Sequence, residues 1–383
     1  DNLNIIKYNT LGQYGKVVQN QQKYDSGNVS CLIGDFKAVE SFNTAIELGC
    51  KYSYNSLAYM YYHGFGVEKD LAKCVSLLEE SIKYNVPNGY NNLGIYYFYE
   101  NDYEKAIKYF EKAVEFNSYL GYYNLGKCYY LGKGVEIDYE KALKYLLYAE
   151  KYNVGTTYYY LDLYYTEGKA TNIDYIKALE YNEKGAKLNL LNCIKNVANY
   201  CYYNCYNINN YSKAFEYFKL AASLGDEDSL YIISSMYEAG LGVKQNYAKA
   251  MEWALKSAKK NDRRAFNLIG HMYYTGICVD VDYAKAFENF TKAAELDLDF
   301  GYYNLGLCYL YGKYIDQDYT KAYECFNKSN HLGASKIKLG YMYYNGYHVN
   351  KDIDKAIEYY KEAYKTNKDA STSLAIHYYD LKI

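Results

Sequence analysis

The chain has 383 residues, and its 43 Lys plus Arg balance 45 Asp plus Glu, which leaves no electrostatic footprint for nucleic acid or an anionic membrane. It has no run of eighteen apolar residues to cross a bilayer, and with a single proline and no Gly/Ser tract it offers no interdomain linker. Its 59 tyrosines are an excess that any reading of the surface must accommodate.

Residues 1–51 open the chain. The start, DNLNIIKYNTLGQYGKVV, has neither a basic n-region nor an apolar h-region, and the localisation expected is cytoplasmic. It begins without a Met, which leaves open an upstream signal or anchor. Lys37 to Gly49, KAVESFNTAIELG, reads as the second helix of a pair whose first helix is degenerate, as in a capping unit.

From Tyr52 the chain repeats. An apolar marker recurs at Leu57, Leu93, Leu125, Leu161, Val197, Ile233, Ile269, Leu305, Leu339 and Leu374, in steps of 36, 32, 36, 36, 36, 36, 36, 34 and 35 residues. So steady a period specifies a helical solenoid in place of the two or three globular domains that length suggests. The plainest copy is Gly301 to Gly333. Tyr302, Leu305, Gly306 and Tyr309 share one side of a first helix, and Gly312 stops it. Asp318 then caps a second helix carrying Lys321, Ala322, Cys325 and Phe326. The loops HGFGVEKD, LGKGVEID and AGLGVKQN repeat the glycines, and Asp70, Asp138, Asp174, Asp282 and Asp352 repeat the cap. Between Leu93 and Leu125 four loop residues are missing, which predicts a tight turn at Asn101-Asp102. Ser371 to Ile383 repeats a first helix with no second behind it and is expected to cap the array.

A small residue four before the marker, Leu-Gly, Tyr, a Gly-x-Gly-Val loop, Asp, Lys-Ala and a closing aromatic together resemble the Sel1-like repeat family, a relative of the tetratricopeptide repeat. The resemblance covers about Tyr52 to the C-terminus. The fold expected is all-α: a right-handed α-solenoid superhelix of about nine helix-turn-helix repeats plus a terminal half-repeat, with a cap at 1–51, an array at 52–370 and a capping helix at 371–383. The resemblance implies an adaptor or scaffold and no catalytic residue. It also implies, as one alternative, a subunit of a ubiquitin-ligase or protein quality-control pathway.

Helical geometry places positions −5, −2, +2, +5 and +6 from the marker opposite the core arc, on the face that first helices line in stacked pairs. The +5 column contains Tyr62, Phe98, Tyr130, Thr166, Tyr202, Glu238, Tyr274, Leu310 and Tyr344. The −2 column adds Tyr123, Tyr159, Tyr231 and Tyr303, and the +2 column adds Tyr59, His271 and Tyr341. Folding alone asks for no large aromatic there, so this concave row is expected to bind a protein or peptide. Charges in these columns nearly cancel, Lys127 and Lys195 against Glu167 and Glu238, so a strongly acidic or basic ligand is not the obvious partner.

The ten cysteines do not recur at two fixed columns, as a disulfide staple in every repeat would need: Cys308 has Cys325 opposite, but Cys128 has Tyr145. Reduced, buried thiols are expected, which disfavours a stapled secreted hydrolase or small-molecule binder. Cys201 and Cys205 lie one turn apart, with no histidine near enough in sequence to fill a tetrahedral zinc shell. The five histidines are scattered and no phosphate loop or nucleophile elbow occurs, so neither an enzyme nor a cofactor is expected.

Overall fold

A computed structural model describes residues 35–203 and 210–366, and every element among them is helical. The second helix that begins the described chain is α1 (Asp35–Glu47). Nine pairs follow: α2 (Ser53–His63) with α3 (Leu71–Lys83), α4 (Pro87–Tyr99) with α5 (Tyr103–Glu115), α6 (Tyr119–Leu131) with α7 (Tyr139–Glu150), and α8 (Thr157–Glu167) with α9 (Tyr175–Lys187). The series continues with α10 (Leu191–Tyr202) and α11 (Tyr211–Ser223), α12 (Asp228–Ala239) and α13 (Tyr247–Ala258), and α14 (Arg263–Thr275) and α15 (Tyr283–Glu295). It ends with α16 (Asp299–Tyr311) and α17 (Tyr319–Lys328), and α18 (Gly333–Asn345) and α19 (Ile353–Thr366). The expected C-terminal capping helix at 371–383 lies outside the described residues, as do residues 1–34 and Cys205.

Local chemistry sets these boundaries. The side chain of Asp70, Asp102, Asp138, Asp174, Asp282 or Asp318 accepts from the backbone N–H three residues on, always that of a lysine, and Asn210 and Asn246 do the same at α11 and α13. First helices end on glycine in the left-handed conformation, as at Gly132 (φ 67°) and Gly312 (φ 62°). In the shortened repeat Asn101 takes φ 62° in place of glycine and Asp102 caps α5, which is the tight turn the missing residues predict.

Between Cys193 and Ile194, inside α10, the chain divides into two compact units. In the first, Val39 and Phe42 of α1 pack with Leu57, Leu77, Leu78 and Leu93, and further along Leu125, Leu146, Tyr158, Leu161 and Tyr164 form a second cluster. In the second unit, Phe290, Leu305, Cys308 and Cys325 pack together, and Phe326, Leu339 and Met342 form the next cluster. Glycine after the marker lets the pair close. A Cβ on Gly126 would lie 3.0 Å from Leu146, and one on Gly306 would lie 2.8 Å from the Phe326 ring.

The lysine whose amide is capped also reaches back to the first helix. Its Nζ sits over the tyrosine four after the marker in seven repeats, from 4.2 Å (Lys141 over Tyr129) to 5.4 Å (Lys249 over Tyr237), with Lys105, Lys177, Lys285, Lys321 and Lys355 between them. Lys141 Nζ also donates to the Tyr129 hydroxyl at 2.6 Å.

Candidate protein-binding face

Stacking fixes a register along the first helices. Position +5 of one repeat meets +2 of the next: Lys127 Nζ lies 5.0 Å from the Phe98 centroid, Ser235 hydrogen-bonds Tyr202, and His271 faces Glu238. Position −2 meets −5 of the next: Tyr123 hydrogen-bonds Thr156, and the Arg264 guanidinium stacks 4.6 Å over Tyr231. Arg264 and its neighbour Arg263 are the only arginines in the sequence.

Within the first unit, Tyr59 and Tyr62 are half-buried against His63, with centroids 4.4 and 4.9 Å apart, and Tyr123 sits half-buried 6.2 Å from Tyr160. Tyr159 is 45% exposed and Tyr99, which sequence reasoning left out, is 64% exposed. In the second unit Tyr202, Tyr231, Tyr274, Tyr303, Tyr341 and Tyr344 are half-buried and His271 is exposed. Burial raises the hydroxyl pKa of Tyr123, Tyr231 and Tyr303, which keeps these groups protonated.

Tyr130 departs from the expected row. It is only 8% exposed, edge-on to Tyr139, Tyr160 and Tyr164, with its hydroxyl accepting from Lys169 Nζ at 3.2 Å. The expectation that folding asks for no aromatic in the +5 column is corrected here. In four repeats the first residue of the second helix reaches that side, and Phe98, Tyr130, Tyr202 and Tyr274 pack edge-on against it, on Tyr103, Tyr139, Tyr211 and Tyr283. The recurring Asp-Tyr or Asn-Tyr at the cap was the sequence signal for that contact.

Two open crevices, of about 510 and 530 Å³, lie among loops, one beside Tyr129, Asp138 and Tyr139, the other beside Asp228, Lys260 and Asp262. Among the described residues no group of three His, Cys, Asp or Glu could hold a metal ion, and no helix is long and apolar enough to cross a membrane. Cys74, Cys128, Cys193, Cys308 and Cys325 are buried free thiols.

Stacked helix pairs in a fixed register define an all-α solenoid of about nine repeats, a class that serves generally as a protein-interaction scaffold. The chain belongs to the Sel1 repeat family, whose profile matches residues 51–83, 120–150, 151–190, 196–226, 228–262, 265–298, 300–333 and 334–365. The tetratricopeptide repeat profile takes 87–120, the repeat with the shortened loop. No curated protein matches. The crystal structure of a Sel1 repeat protein from Oxalobacter formigenes is similar at 25% identity and TM-score 0.60, over 79% of this chain and 91% of that one. The uropathogenic Escherichia coli protective antigen c5321, which displays an SLR fold, is similar in fold at 23% identity and TM-score 0.54, over 98% of this chain and 90% of its own.

Proposed function

We propose that the chain is a non-catalytic adaptor that binds an extended segment of a partner protein along the first-helix face of its repeats. The observation that supports this is the register. Aromatic rings at +5 and −2, the buried Tyr130 excepted, are held by intramolecular packing and only half-buried, so a partner meets rigid anchors whose rotamer entropy is already spent. Tyr159 and Tyr99 extend the row as exposed contacts. The buried free thiols suit a reducing compartment such as the cytoplasm.

The test is a photo-crosslinking residue placed at Tyr159 in the full chain, with Tyr84, 50% exposed just beyond the end of α3, as the comparison site. Capture of one partner from Tyr159 and not from Tyr84 is the expected result. Crosslinking from Tyr84 alone would move the binding surface to the other face. Ubiquitin-ligase components among the captured proteins would assign the adaptor to protein quality control.

A further inference from the structure

Only in the Ile233 repeat does the +5 column carry a charge, Glu238. Its neighbours in the column, Tyr202 and Tyr274, seat a ring against Tyr211 and Tyr283, so Glu238 puts a carboxylate into a slot that the two flanking repeats fill with an aromatic. The side of that slot toward Tyr247 is closed, because Gln245 Nε2 donates to the Tyr247 hydroxyl at 2.9 Å and to the Glu238 carbonyl at 2.8 Å.

The carboxylate is half-buried and desolvation pushes its pKa up, opposed only by the imidazole of the exposed His271 of α14. Among the described residues no Lys or Arg forms an ion pair with it. Arg264, over the flanking Tyr231 ring, is committed elsewhere, at 2.7 Å to Asp262 and 3.0 Å to Asp228. A carboxylate drawn partly out of water without a permanent cation is unfavourable for folding, and a cation brought by a ligand would offset that cost.

We propose that Glu238 is the specificity position of the binding face and takes a Lys or Arg side chain of the bound peptide, with the Tyr231 ring beside it and His271 at the rim. This rests on the adaptor reading above, and charge complementarity selects the occupant.

The experiment pans a phage-displayed random dodecapeptide library on the full wild-type chain and on Glu238→Gln. The expected result is a set of wild-type winners sharing one fixed Lys or Arg. A synthesised winner then binds Glu238→Gln about tenfold more weakly, and its version with norleucine for the basic residue binds wild type about as weakly. The norleucine arm needs no protein variant. Glu238→Gln itself should melt no lower than wild type, since it removes a desolvated charge. Winners that bind the face but carry no fixed basic residue, or that bind both proteins equally, overturn this inference and leave the adaptor reading standing. No enrichment on either protein overturns both.

Discussion

Tyr130 and Tyr139 pack edge-on, with ring centroids 5.4 Å apart and planes at 68°. The same contact, last turn of a first helix against first residue of a second, recurs at Phe98–Tyr103 (5.3 Å) and Tyr274–Tyr283 (5.3 Å), so it staples the loop end of the helix pair. At Tyr130 the rings of Tyr160 and Tyr164 in the next repeat close the cluster. Tyr130→Ser should therefore cost about 3–5 kcal/mol in urea unfolding, and Tyr159→Ser, on the exposed part of the face, within about 0.5 kcal/mol. Equal effects would mean that the Tyr130 cluster contributes no more than surface contact.

That pair also marks where the sequence stopped being readable. Period, caps and the glycine after the marker follow from rules local to a few residues, so Asp138, Gly132 and Gly126 were legible one at a time. The +5 column was placed by the angular geometry of one isolated helix, which cannot show that Tyr139 crosses over from the next helix. Lys141 reaching Tyr129 was hidden for the same reason: twelve residues and a loop separate them. Glu238 was visible as a charge, but its burial depends on neighbouring repeats.

The lysine over each tyrosine predicts a measurable coupling. Lys141→Met keeps the amide that Asp138 caps and removes only the ammonium over Tyr129, so it should cost about 0.5–1 kcal/mol. In a double-mutant cycle Tyr129→Leu should erase most of that loss. Additive single effects would show the pair to be adjacent without interacting.

The loop position nine after the marker is left-handed in every long loop among the described residues. Gly134 (φ 74°) and Gly242 (φ 67°) occupy it at ease, whereas Ala170 holds φ 51° with a Cβ. Ala170→Gly should stabilise by about 0.5–1 kcal/mol, relief of strain exceeding the added chain entropy. Gly242→Ala should do the reverse by about 2 kcal/mol or more, because its Cβ would fall 2.2 Å from the Tyr211 carbonyl. Thermal melts of the two variants moving in the same direction would refute this account of the loop.

Buried thiols make the solenoid sensitive to alkali. Burial pushes Cys74 and Cys325 up to about 11 and Cys128, Cys193 and Cys308 up to about 12, from an ordinary value of 9.0. The unfolded chain gives up these protons first, so their contribution is complete below about pH 9 and is lost as pH rises through the folded values. Urea midpoints should decline steadily from about pH 9 to 11, and Cys128→Ala should make that slope shallower. A flat profile over this range would show the thiols to be better solvated than their packing implies.

Gly306 and Phe326 provide the sharpest test of how each pair closes. A Cβ at Gly306 would lie 2.8 Å from Phe326 Cε1 and 3.1 Å from Cys325 Cβ, in a repeat where Phe326 is fully buried. The helix itself would favour alanine by about 1 kcal/mol, so intrinsic propensity and packing oppose each other at this one position. Packing should win: overfilling a dense core costs about 1–3 kcal/mol, and the ring cannot leave without opening the cluster around Leu339 and Met342. Gly306→Ala is expected to lower the melting temperature, while adding Phe326→Leu, which removes the ring atoms in the way, should recover part of the loss even though Phe326→Leu alone is destabilising. If the double variant is no more stable than the sum of the two single effects predicts, the ring is not what the glycine accommodates, and the close approach of α16 to α17 rests on backbone contact instead.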